Sequence, residues 1–337
     1  MDNLTHVLTG ALTAKFIEAR PTAPEEKKTY RRTFFWLFVL CANLPDIDVA
    51  LGLIGDPILS IQYHRGITHS VLFAPLFALF PAAGFRLLTR VRNIRLLWVI
   101  SLLGIITHIF FDLITSFGTQ ILSPVSSTRY ALDWLFIIDP VFTLSLGTAL
   151  LLGKIFPNRR RQFTSIMMGF VVLYLVAAAL THGIARSRIK EAAAREGISW
   201  ERVSALPALP TILQWHGLVQ SHDGVWQTFF SVFDGGLPEL KFVPHVKGPF
   251  FDKAEREAEV QWYLTFARHP SFRAQSEGDR EIVAFTDLMF SADESLARSL
   301  GFTERFLPFV LSYVYGKDGT LLEVKFDGKT IERTDGE

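Results

Sequence analysis

Apolar residues are unevenly distributed along this chain: most of them fall between residues 33 and 185, in runs at about 71–88, 94–115, 135–153 and 164–185. Each run approaches the ~20 residues that a helix needs to cross the hydrocarbon core of a bilayer, so four transmembrane helices are predicted. Two shorter segments precede them. Leu4–Ala19 is amphipathic, with Lys15 and Glu18 on its polar side, and Phe34–Leu44 is apolar until Pro45 interrupts it. Both are read as short spans inside a bundle, the alternative being two buried helices that never cross.

Past residue 186 the pattern becomes that of a soluble domain with dispersed charges, which puts the boundary at 186–195, between a helical domain of residues 1–187 and a second domain of residues 196–337. There, Leu213–Gln220 and Val225–Phe233 flank Ser221-His222-Asp223-Gly224, and Phe309–Tyr315 and Leu321–Phe326 flank Lys317-Asp318-Gly319, so two hairpins are predicted. Gln261–Phe266 and Glu281–Phe285 read as further strands, with short helices near Lys190–Arg195 and Ala292–Leu300. Trp215, Trp226, Trp262 and the phenylalanines are the expected core. The expected fold class is a mainly α membrane bundle of about six helices, followed by a smaller α+β extracytoplasmic domain with antiparallel hairpins.

Charge supplies an orientation. If all six segments cross, Arg20, Lys27, Lys28, Arg31 and Arg32 share one loop, Arg86, Arg90, Arg92 and Arg95 another, and Lys154, Arg159, Arg160 and Arg161 a third. The intervening loops hold little beyond Arg65 and Arg129, so the basic loops are expected in the cytoplasm and the C-terminal domain outside a bacterial inner membrane. The formal net charge of +1, with basic residues in short clusters, gives no nucleic-acid footprint. Cys41 is the sole cysteine, which excludes an intrachain disulfide and a cysteine-based zinc site. The first residues lack the basic start and cleavage site of a removable signal, and Met1 onward is read as mature protein.

Against this apolar background the residues with chemistry stand out: His6, Asp46, Asp48, His64, His69, His108 and Asp112 lie beside or inside the hydrophobic segments. An aspartate at the centre of a membrane helix costs roughly 2.5–3.5 kcal/mol on insertion scales, and a shared cation is the economical compensation. The predicted threading puts all seven near the outer face. His108 and Asp112, four apart on a helix, share a face and can hold one ion; the alternative is a buried histidine–aspartate hydrogen bond that supports packing. Pro45 presents Asp46 and Asp48 at a helix exit, where two carboxylates can bridge cations, cap a turn or solvate a loop, Asp46 being the better ligand candidate. In His64-Arg65-Gly66-Ile67-Thr68-His69-Ser70, neutral imidazoles suit zinc, one of them in first contact and the other behind it, and Arg65 suits an anionic substrate or a membrane-surface anchor. Asp133 and Asp139, near the outer start of the fifth helix, are candidates for a further ligand or a base. His182, in Thr181-His182-Gly183, is expected to end a helix.

Asp2-Asn3-Leu4-Thr5-His6, Pro45-Asp46-Ile47-Asp48, the His64–Ser70 string and His108-x-x-x-Asp112, taken together in this order, resemble the YdjM-like family over roughly residues 1–185. That resemblance implies a membrane-bound, metal-dependent hydrolase. More distantly, the order His, Asp, His, His-x-x-x-Asp is similar to the ligand order of zinc-dependent phospholipase C and its related single-strand nucleases. It implies that His6, Asp46, His64 or His69, His108 and Asp112 ligate metal. The chain departs from that pattern in lacking an N-terminal tryptophan and a later His followed by His-x-x-x-Glu, so one or two ions are expected rather than three.

The resulting expectation is a hydrolase whose one or two divalent ions, zinc by preference, activate water against a phosphoester or other ester of a lipid or lipid-linked substrate, with membrane lipids as surroundings. Arg65 orients the anion, and Asp48 or Asp133 acts as base. The alternative is a non-enzymatic membrane protein with a structural or transported-ion site and a partner-binding outer domain. After Arg95, the fourth helix offers a transported ion only the hydroxyls of Ser101 and Thr107 before His108, a poor path.

Overall fold

The computed structural model describes residues 1–17, 24–53, 57–292 and 307–331. The chain divides into two compact units, one holding Met1–Gly55, Leu59–His182 and Pro207–Leu213, the other Gly183–Leu206, Gln214–Glu337 and the short stretch Asp56–Ile58.

In the first unit Asp2 caps helix α1 (Asn3–Phe16) by accepting the Thr5 amide. Helix α2 (Pro24–Cys41) stops four residues short of Pro45, and a 3-10 stretch, Leu44–Leu53, carries the two aspartates onward. Helix α3 (Pro57–Tyr63) leads through Gly66 into a 3-10 turn, Ile67–His69, and then into α4 (Ala74–Phe77) and α5 (Leu79–Leu88). Asn93 caps α6 (Ile94–Leu113), and Asp139 caps α7 (Pro140–Ile155). Helix α8 (Arg160–Arg195) is the longest element and supplies residues to both units.

Small residues let α1, α2 and α6 approach closely. A Cβ on Gly104 would stand 2.6 Å from that of Cys41, and one on Gly10 2.7 Å from that of Ala42. Around these contacts Phe34, Leu37, Phe38, Leu97, Ile100 and Ile105 form one apolar core, while Leu12, Phe111, Phe142, Leu146, Val171 and Tyr174 form a second. Together they fix the ends of α1, α2 and α6 relative to each other, and those ends carry the polar residues.

Among the described residues, α6 and the 39-residue helical stretch Pro157–Arg195 are long and apolar enough to cross a membrane, and Ile61–His69 with Ala74–Leu88 reaches that standard as a pair bent by 77°. By length and composition, two or three candidate spans are thus shown among the described residues, where about six crossing helices were expected. Helix α1 has 14 residues and α7 has 16, below the ~20 required, and the first half of α2 is charged. The run at 71–88 breaks between two helices, and α8 continues through Thr181-His182-Gly183, where an end was expected, to include Lys190–Arg195.

The second unit is built on two antiparallel sheets, with strand orders β1-β2-β3-β4 and β5-β6-β7-β8-β9. The first comprises β1 (Arg202–Pro207), β2 (Gln214–Ser221), β3 (Gly224–Ser231) and β4 (Lys241–Pro244); the second comprises β5 (Pro270–Glu277), β6 (Arg280–Asp287), β7 (Leu311–Gly316), β8 (Leu321–Phe326) and β9 (Lys329–Thr330). Both expected hairpins form: Ser221 pairs with Gly224 across the His222-Asp223 turn, and Tyr315 pairs with Leu321. Ala185, Ile189, Ala192 and Ala193 of α8 recur at helical spacing and pack with Trp215, Val219 and Phe230. Gln261–Phe266, expected as a strand, lies in helix α10 (Ala258–Phe266), preceded by α9 (Phe251–Glu255); its buried residues Val260, Tyr263 and Phe266 recur every third position, a helical rather than alternating pattern. The helix expected at Ala292–Leu300 lies outside the described residues.

Candidate metal centre

Four separate pieces of chain deliver imidazoles and carboxylates to one place. His6 comes from the first turns of α1, Asp46 and Asp48 from the stretch after α2, His64 and His69 from the segment before α4, and His108 and Asp112 from the last turns of α6. Asp46, His69, His108 and Asp112 offer ligand atoms that all lie within 4.8 Å of one another, and a second such group joins Asp46, Asp48 and His64.

The five separations in the first group that involve an imidazole nitrogen are nearly uniform. His69 Nε2 is 3.1 Å from His108 Nε2, 3.3 Å from Asp46 Oδ1 and 3.1 Å from Asp112 Oδ2; His108 Nε2 is 3.4 Å from each of those oxygens. Separations of about 3.3 Å are those expected between neighbouring donors around a cation with bonds of about 2.0 Å, the zinc–nitrogen and zinc–oxygen length. The donor chemistry fits as well. His108 Nδ1 donates to the Ala42 carbonyl at 2.8 Å, so its Nε2 carries the lone pair that faces the cluster. His69 Nδ1 faces Thr68 Oγ1 at 2.9 Å and Asp48 Oδ2 at 3.3 Å, the carboxylate–histidine arrangement that orients metal ligands. Asp112 is wholly buried, yet its Oδ2 accepts no hydrogen bond. An orphaned anionic oxygen in such a place calls for a cation.

Around this group the other predicted residues take definite places. Asp48 ties the surroundings together: its Oδ1 is 2.9 Å from His64 Nδ1, and its Oδ2 accepts from Thr68 Oγ1 at 2.7 Å and from the Arg65 amide at 3.1 Å. His64 thus belongs with Asp48 and Asp46 and lies at the surface, its side chain 23% exposed where His69 is fully buried. His6 stacks on His108 with ring centroids 3.8 Å apart and places Nε2 3.2 Å from Asp112 Oδ1. Arg65 is buried, with a guanidinium nitrogen 2.9 Å from Asp112 Oδ1, and the Met1 amino nitrogen meets that same oxygen.

His6, although it touches Asp112, stands outside both ligand groups, as do Asp133 and Asp139. Asp133 is buried in the segment before α7 with a left-handed φ of 58°. Asp139 caps α7, accepting the Phe142 amide and the Tyr174 hydroxyl. Three contributors escaped the sequence reading in these roles: Thr68, whose position between the two histidines was the available signal; the Ala42 carbonyl; and Arg129. The Arg129 guanidinium donates to the carbonyls of Ile61, Gln62 and His64, fixing the segment that presents His64.

The electrostatics keep the carboxylates ionised. Burial works against a charge on Asp46, but contacts with His108 and His69 outweigh it and hold the carboxyl well below its usual range; Asp48 is held down in the same way by His64 and His69. Arg129 is pushed down to about 10 by burial and by the neighbouring charge of Arg65.

Apolar helices that converge on a buried histidine–aspartate cluster define a membrane protein with a candidate metal centre. The chain belongs to the YdjM inner membrane protein family, whose pattern matches residues 1–185 and so includes every residue of the cluster. It is 28% identical over 185 residues to Uncharacterized protein YfhP of Bacillus subtilis (strain 168), an alignment that covers 52% of this chain and 53% of that protein. The chain thus spans about half the length of that relative. No solved structure matches it.

Proposed function

We propose that the protein is a membrane hydrolase that uses one or two divalent ions, zinc by preference, to cleave a phosphoester or other ester of a lipid or lipid-linked substrate at the outer face of the inner membrane. The observation that carries this reading is the compact buried set of Asp46, His69, His108 and Asp112 with its orphaned carboxylate oxygen. A divalent ion held there would lower the pKa of water and neutralise charge on a substrate oxygen. The chain's own residues then have separate tasks. His108 and His69 are held in the ligating tautomer by Ala42 and by Thr68 with Asp48, and Asp48 also holds His64 at the surface, where water and substrate have access. Asp46 belongs to both ligand groups and is the candidate bridge between two ions.

A lipid substrate is supported by what surrounds these ligands. Ile47, Val49, Tyr63 and Ile67 alternate with the ligand residues along the chain and are exposed apolar side chains, suited to acyl chains rather than water. The basic loops favour an outward site, and a reporter fused to the C-terminal domain tests that orientation; a cytoplasmic signal would reverse it.

A structural ion is the second reading, favoured by the count of four protein donors, because closed four-ligand zinc sites are structural and catalytic ones keep a position for water. Hydrolysis of a generic phosphodiester and of a phospholipid in detergent, by zinc-loaded parent and by an Asp112→Ala variant, separates the two. Zinc-dependent turnover that the variant loses supports the hydrolase; zinc bound tightly by a parent without turnover supports the structural ion.

A further inference from the structure

The two oxygens of Asp112 face different partners. Oδ1 is met by an Arg65 guanidinium nitrogen at 2.9 Å, by His6 Nε2 at 3.2 Å and by the Met1 amino nitrogen, whereas Oδ2 faces the Nε2 atoms of His69 and His108 and, among the described residues, accepts no hydrogen bond. Arg65 is 2% exposed, less than a surface group that captures substrate would be. Its other terminal nitrogen donates to Thr115 Oγ1 at 3.1 Å and towards the Asp112 carbonyl at 3.5 Å, and the guanidinium lies 5.1 Å from the centre of the Phe117 ring. The backbone of Arg65 is held too: its amide donates to Asp48 Oδ2, and its φ of 59° is a left-handed conformation that a non-glycine residue adopts at a cost. One residue therefore grips both carboxylates behind the cluster, Asp48 through the main chain and Asp112 through the side chain.

We infer that Arg65 is a positioning residue of the metal centre rather than a substrate-binding group: it occupies Asp112 Oδ1 so that Oδ2 alone is presented to the cation. This rests on the metal reading above and refines it. A carboxylate ligates through one oxygen or through both, and a permanently charged guanidinium with one nitrogen on Oδ1 and the other held by Thr115 favours the first mode. It also supplies a counter-charge. With a dication balanced by Asp46 and Asp112, the arginine adds positive charge that favours an anionic substrate through its field, without touching it.

Cobalt(II) binding to the full chain in detergent tests the assignment, because cobalt reports affinity by titration and coordination number by the strength of its visible absorption. Arg65→Gln is expected to weaken cobalt binding by about 10–100-fold, the usual loss when a residue that orients a ligand is removed. Its absorption is expected to weaken as Asp112 turns to bind through both oxygens. If Arg65→Gln does not fold, Arg65→Lys carries the test: one ammonium cannot hold Oδ1 and Thr115 together, and a loss of about tenfold is expected. Parental affinity and spectrum in the folded variant would overturn the assignment and return Arg65 to substrate binding. A parent that takes up no cobalt would remove the metal reading itself, a different result from a parent that binds beside an indifferent variant.

Discussion

Replacing Asp112 with asparagine tests the centre with almost no change of shape. The carboxylate is fully buried, one oxygen surrounded by Arg65, His6 and the Met1 amino group, the other facing His69 and His108. All partners of Oδ1 that carry protons need an acceptor, so the amide oxygen of Asp112→Asn would settle there and its NH2 group would point at the two imidazole nitrogens. An NH2 group cannot ligate a cation. The variant loses both a ligand and a charge, and the loss should exceed the 10–100-fold seen when only an orienting residue is removed, so at least about 100-fold, or about 2.8 kcal/mol at 1.4 kcal/mol per tenfold. A second cost falls on the metal-free protein. Arg65 keeps its burial but loses its carboxylate, and breaking a buried ion pair from one side costs about 3–5 kcal/mol. Zinc affinity by competition with a chelating dye and thermal unfolding in detergent, each with and without zinc, read both effects. Zinc at about 1,000 times the parent's Kd should stabilise the parent by about 4 kcal/mol and the variant by no more than about 1.4 kcal/mol. Equal zinc affinity and equal zinc-induced stabilisation in the two proteins would refute the assignment of Asp112 Oδ2 as a ligand.

Three further outcomes are expected. Thr68→Val removes the hydroxyl that donates to Asp48 Oδ2 at 2.7 Å and meets His69 Nδ1 at 2.9 Å, so metal affinity should fall about 10–100-fold with the fold intact; an unchanged Kd would show that His69 needs no such orientation. Gly104→Ala drives a Cβ to 2.6 Å from Cys41 Cβ and 3.2 Å from the Phe38 carbonyl, an overpacking that should cost about 1–3 kcal/mol, read as a lowered unfolding temperature in detergent, and a neutral result would mean that α2 and α6 can separate freely. In the second unit, burial holds the imidazole of His269 well below its ordinary 6.5. The unfolded chain takes up this proton first, so the stabilisation is complete above pH 6.5 and declines as the pH falls below it, by up to about 1.4 kcal/mol per pH unit. Denaturant titrations at several pH values should show this slope in the parent and a shallower one in His269→Gln; identical slopes would mean that other groups govern the acid limb.

Much of the site was legible in the sequence because charged and imidazole side chains are conspicuous where everything around them is apolar. The sorting of basic loops placed His6, Asp46, Asp48, His64, His69, His108 and Asp112 at one end of the helices, and they do meet in one cluster. What spacing could not supply was which atom of each residue faces which neighbour. His64 and His69 flank the same glycine, and only the position of Asp48, which touches Nδ1 of both, puts one on the surface and the other in the buried group. The burial of Arg65 against Thr115 and Phe117 could not be inferred from a string of seven residues. The fold shows the same division. Alternating strands around His222-Asp223 and Lys317-Asp318-Gly319 announced their hairpins through turn chemistry. Hydrophobic length was legible but its breaks were not: a run of apolar letters encodes neither the 77° bend near His69 nor the 16-residue length of α7.

The most direct measurement is X-ray absorption at the zinc edge on the purified, zinc-loaded protein, beside a His69→Ala variant. The account predicts about one tightly held zinc per chain with four nitrogen and oxygen neighbours at about 2.0 Å, including two imidazoles, and a variant that loses this signal. A parent that emerges from dialysis without zinc, or a zinc whose imidazole shell persists unchanged in His69→Ala, would contradict it.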